Sequence, residues 1–135
     1  MGWILRYIEK MRARPTMYIS GDSTKNFRSF MIGYMCACED LGFPQFDEDD
    51  AVFLEYFTYW LAIKFDTDET QSWYGLIDTY YGEFLDTPID NSMEAFYIFF
   101  DEYTNLLNTV SFQQIQEDYD KFLEKKKEER MHKHS

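Results

Sequence analysis

Between Ala51 and Phe65 the chain runs through fifteen residues without a glycine or a proline, and only Glu55, Thr58 and Lys64 interrupt an apolar and aromatic series. A helix that is apolar on nearly every side has to be surrounded by other elements. The run is too short and too charged to cross a bilayer. The rest of the chain must therefore supply amphipathic helices, each presenting one apolar stripe to this central segment.

The flanking sequence supplies them. Trp3, Ile4, Tyr7, Ile8 and Met11 recur at helical spacing, and the pattern stops ahead of Pro15, whose ring disfavours helical backbone at the preceding residue. A second helix is expected after Gly21, capped by Asp22 or Ser23. Its stripe is Phe27, Phe30, Met31, Tyr34, Cys38 and Leu41, and Gly42 with Pro44 stops it. Asp47 opens the helix that carries the apolar run, with Glu48, Asp49 and Asp50 in its first turn, where carboxylates complement exposed N–H groups. Thr67 to Thr70 form a polar break before a helix from about Ser72 to Tyr81, ended near Gly82.

Thr87-Pro88 reads as the start of a fifth helix with the stripe Met93, Phe96, Tyr97, Phe100, Thr104 and Leu107. Ser111 and Gln114 fit a capping box, and Val110 and Ile115 are placed as a hydrophobic staple. The last helix is expected to pack through Ile115, Tyr119, Phe122 and Leu123 before turning into the solvated, frayed run Glu124-Lys-Lys-Lys-Glu-Glu-Arg130. No period-2 strand pattern, repeat or low-complexity linker interrupts the series. The expected class is all-α: a single compact bundle of about six helices over residues 1–128, with a polar tail over 129–135. At 135 residues, 45% hydrophobic and 20% aromatic, the chain has enough apolar surface for a core of its own.

The net charge of −12 is unevenly spread. Residues 1–36 carry six bases against two acids. Residues 37–112 carry seventeen acids against one base, Lys64, for a local charge of −16, and residues 113–135 carry six of each sign. A field this negative repels nucleic acid and anionic membranes and draws in basic protein surfaces. Two plainer roles compete with that reading: a solubilising surface in general, and helix capping for the run from Asp47 to Asp50.

The chemistry-bearing residues are few. His132 and His134, the only histidines, lie at the polar end of the chain, which removes the usual general base and metal ligand from the rest. Cys36 and Cys38 point about 200° apart on a helix, so they read as reduced core thiols of a cytoplasmic protein rather than a bridge or a zinc site. Met1-Gly2-Trp3 leads directly into an amphipathic segment, and no secretory signal is expected. No phosphate-cradling or nucleophile motif occurs. The expectation is a binding protein without catalytic residues, metal or cofactor.

The most specific string is Arg12-Ala-Arg-Pro-Thr-Met-Tyr-Ile19. It resembles an element near the start of gyrase B and its ATPase relatives, but the ATP-binding asparagine helix and the glycine-rich lid of those proteins have no counterpart here. A longer pattern covers about residues 3–42: Ile8, Arg14-Pro-Thr-Met-Tyr-Ile19, Gly21-Asp22-Ser23, Phe27, Phe30, Gly33-Tyr34 and Gly42. It resembles immunity proteins of bacterial polymorphic-toxin and contact-dependent growth-inhibition systems. Thr16 stands where glycine is more usual, which leaves the turn type open. The resemblance implies a cytoplasmic inhibitor that forms a 1:1 complex with one cognate toxin domain.

Many such toxins are nucleases, whose substrate clefts are basic because they attract phosphates. An acidic partner associates quickly with a cleft of that kind, while aromatic residues anchor the complex. The candidate partner-binding residues are accordingly Asp66, Asp68, Glu69, Asp78, Glu83 and Asp86, with Tyr74, Tyr80 and Tyr81 interleaved, and Asp49 and Asp50 beside them. Trp73 is expected in the core instead. The alternative is an acidic nucleic-acid mimic or regulatory adaptor binding a basic host protein.

Overall fold

The computed structural model describes residues 3–13, 24–42, 48–84 and 92–133, without the side chains of 3–6, 25, 35, 38, 39 and 48–50. Six α-helices and one short 3-10 turn make up the described chain: α1 (Trp3–Ala13), α2 (Thr24–Asp40), α3 (Glu48–Lys64), α4 (Trp73–Tyr80), the turn Tyr81–Glu83, α5 (Ser92–Leu106) and α6 (Phe112–Lys133). The chain is an all-α bundle, and no helix among the described residues is long and apolar enough to cross a membrane.

Helix α3 touches α1, α4, α5 and α6. Its Leu54, Phe57, Leu61, Ala62 and Phe65 are buried, and Phe57 is the hub. The Phe57 ring lies 5.0 Å from Tyr103, 5.9 Å from Phe100, 6.0 Å from Phe96 and 6.3 Å from Trp73. Phe27 of α2 closes the cluster, 5.4 Å from both Trp73 and Phe96. Tilted and edge-on rings at these separations add attraction between ring edges and faces to the burial of large apolar surfaces.

Polar groups lock the helices at two buried places. The Thr24 N–H donates to Ser92 Oγ (2.9 Å) and its hydroxyl donates to the Tyr74 carbonyl (2.8 Å), so one threonine ties the starts of α2 and α5 to α4. The Tyr103 hydroxyl donates to the Phe53 carbonyl (2.8 Å), and burial pushes its pKa up.

Several elements depart from the sequence reading. The buried arc of α5 is turned toward Ser92, Ala95, Phe99 and Tyr103, while the expected Tyr97, Thr104 and Leu107 are only half-buried, because α5 is held between α4 and α2 on one side and α3 on the other. Cys36 is exposed, not a core thiol: it lies on the face of α2 opposite the buried Phe27. Leu41, expected in the stripe, is 69% exposed and lies just past the end of α2 between the exposed Asp40 and Gly42. Gly42, at φ 71°, takes the left-handed position that ends the helix. On α3, Ala51 and Glu55 face solvent, so the helix is central without being enclosed.

Helix α6 starts as expected, with Ser111 Oγ accepting from the Gln114 N–H (3.1 Å), but the Gln114 side chain donates forward to Asp118 (2.9 Å) rather than back to the cap. The helix then continues unbroken to Lys133, beyond the position where a tail was expected. The Arg14–Ile19 element, Asp47, Asp86 and the Thr87-Pro88 start lie outside the described residues.

Candidate partner-binding surface

The Asp66–Glu69 segment owes its shape to the end of α3. The Asp66 N–H donates to the Ile63 carbonyl (3.1 Å) and the Thr67 N–H to the Ala62 carbonyl (3.0 Å), the paired bonds of a Schellman cap, with Asp66 at φ 54° in the position usually given to glycine. Thr67 is buried, and its hydroxyl accepts from the Glu69 N–H (3.2 Å). The backbone of the segment is thereby fixed, and Asp66, Asp68 and Glu69 are carried on a held turn.

The charges on that turn are largely matched from within. Lys126 of α6 pairs with Asp66 (2.8 Å) and Arg130 pairs with Asp68. The Asp66 carboxylate, accepting from the ammonium, raises the Lys126 pKa. Two cations four residues apart on a helix are separated by ~6 Å along its axis, which lets Lys126 and Arg130 reach successive acids of the turn. Lys126, Arg130 and Asp68 also line an open cleft with Glu129, His132 and Lys133. Among the described residues Glu69 forms no ion pair, and its carboxylate accepts a hydrogen bond from Gln71 (2.7 Å).

Tyr80, Tyr81 and Glu83 sit at the far end of α4. Phe65, the residue before Asp66, packs against Tyr80 (5.7 Å) and Phe84 (5.1 Å), so this end of α4 adjoins the acidic turn. Tyr80 and Tyr81 are half-buried, Glu83 is exposed, and Phe84 is 38% exposed. Phe84 is an exposed aromatic side chain that the sequence reading did not name. Asp78 is half-buried on the same helix.

Tyr74 stands two turns away at the start of α4, where the Arg28 guanidinium lies over its ring (5.1 Å). That places a cation on the ring and separates Tyr74 from the Tyr80–Phe84 group. The backbone of Asp49 and Asp50 lies in the first turn of α3, and Asp86 is outside the described residues.

Two further ion pairs lie elsewhere. Arg12 grips Asp101 with both guanidinium nitrogens, one at 2.6 Å, which lowers the Asp101 pKa and raises that of Arg12. Lys64, the lone base of the acidic block, pairs with Glu102 (2.7 Å). Among the described residues no group of three or more histidines, cysteines and carboxylates could hold a metal ion. No family model, curated protein or solved structure matches the chain.

The signal for the internal pairing was present in the sequence as the i, i+4 spacing of Lys126 and Arg130. Nothing local, however, tells which acids sixty residues away receive them.

Proposed function

We propose that this protein is an immunity-type inhibitor: it binds the basic substrate cleft of a toxin domain of the nuclease class in a 1:1 complex and blocks it. The observation that carries the reading is the concentration of seventeen acids against one base over residues 37–112, which suits a phosphate-binding surface as partner. The N-terminal Arg14-Pro-Thr-Met-Tyr-Ile19 resemblance supplies the functional class. The end of α4 supports it further, because Glu83 brings negative charge beside the aromatic group Tyr80, Tyr81 and Phe84. Interface energy concentrates in such aromatic anchors, while charges around them mainly set the rate of encounter.

Co-expression with the protein encoded immediately upstream tests the proposal. It predicts a 1:1 complex and loss of that protein's toxicity. An upstream gene unrelated to any toxin contradicts it, and capture of several partners sharing a basic surface favours the nucleic-acid mimic instead.

A further inference from the structure

The C-terminal half of α6 is attached to the bundle differently from every other helix. Ile115, near the start, is the only buried residue of α6. Beyond the half-buried Phe122 and Leu123, it is tied to the turn after α3 by Lys126 with Asp66 and by Arg130 with Asp68. Each pair joins an exposed side chain to a half-buried one: Asp66 is 74% exposed against 20% for Lys126, and Arg130 is 62% exposed against 23% for Asp68. Surface ion pairs of this kind hold weakly and weaken further in salt. The acidic turn is the firmer partner: the Schellman cap sets Asp66, and Thr67 is buried beneath it. A turn of fixed backbone thus presents two carboxylates, each paired with a cation from the end of α6.

We propose that this end of α6 is an electrostatic latch: Lys126 and Arg130 occupy Asp66 and Asp68 in the free protein, and a polybasic partner surface takes those two carboxylates by displacing the helix end. The inference rests on the reading of the protein as a binder of basic surfaces and adds a regulation to it. The latch neutralises Asp66 and Asp68 toward weakly basic surfaces and yields only to one that presents two cations at about the same ~6 Å spacing. The partner's gain is reduced by the contact it must break, so removing the latch tightens binding.

Binding of a hexa-arginine peptide to the full chain at low salt tests this. Lys126→Ala/Arg130→Ala is compared with Lys125→Ala/Lys127→Ala, which has the same net charge and leaves both ion pairs in place. The latch predicts that the first variant binds about two- to fivefold more tightly than the second. Adding Asp66→Asn/Asp68→Asn to each should remove the difference, asparagine being tolerated at the left-handed position. In the wild-type protein, the peptide should speed amide hydrogen exchange over residues 124–133.

Equal, measurable affinities for the two alanine variants overturn the latch while leaving the acidic-surface reading intact. Peptide binding that leaves exchange over 124–133 unchanged overturns it as well. Absence of binding by every variant overturns both the latch and the assignment of this turn to the partner surface.

Discussion

Helix α3 is held on its two sides by different means. Toward α4 and α5 it buries Leu54, Phe57, Leu61 and Phe65, with Phe57 packed among rings from both helices. Toward α6 it offers plates: Tyr59 stacks on Tyr119 with ring centres 4.2 Å apart and planes 8° from parallel, and Tyr56 stacks on Phe112 at 5.0 Å and 11°. These four rings are only half-buried. The same aromatic composition thus fills volume on one side and makes a thin, wet seam on the other. Stability should reside in the first region, and the second is free to open without unfolding the bundle.

Truncation distinguishes the two most sharply. Phe57→Ala removes the hub of the core and should cost about 3–5 kcal/mol in urea unfolding. Tyr119→Ala, at the seam, should cost distinctly less, and equal losses would break the comparison. A smaller effect is expected of Tyr103→Phe, which leaves the Phe53 carbonyl without its hydroxyl donor and should cost about 1–2 kcal/mol by the same measurement.

The seam also has a titration of its own. The Tyr59 hydroxyl donates to Glu55 (2.6 Å), and that bond, with partial burial, pushes its pKa up to about 12. Unfolded tyrosine ionises near pH 10, so the stabilisation is complete below that pH and is lost as pH rises toward 12. Tyrosinate absorbance should show a late-ionising contribution that Tyr59→Phe removes, beside those of Tyr97, Tyr103 and Tyr119, whose pKa values burial also raises.

The smallest effect belongs to Asp101. Arg12 holds its pKa below the ordinary 3.8, so its contribution is present above that value and is lost as pH falls through the folded-state pKa. Both side chains are well exposed, so Asp101→Asn should flatten the acid limb of stability only slightly. A large change there would place a main stabilising contact at the surface and contradict the division.

What could be read in advance follows the range of the physics. The apolar run of α3, the Ser111 cap and the stop at Gly42 are set by neighbours within one turn, and each appears where expected. The facing of α5 depends on which helices flank it, so Phe99 and Tyr103 replace Tyr97 and Thr104 inside. The acidic turn shows the same limit at its widest. Asp66, Asp68 and Glu69 look alike in sequence, yet the first two are matched by α6 and Glu69 is bonded to neighbouring Gln71, a distinction made by contacts across sixty residues. Asp66 at a left-handed cap was equally hidden, since that conformation is ordinarily a glycine's.

Native-state amide hydrogen exchange, followed residue by residue at low and high salt, addresses the division most directly. The account predicts that residues 124–133 open locally with a small free energy that falls further in salt, while residues 54–65 and 95–103 exchange only through global unfolding. Equal, salt-independent protection of 124–133 and the α3–α5 core would contradict it.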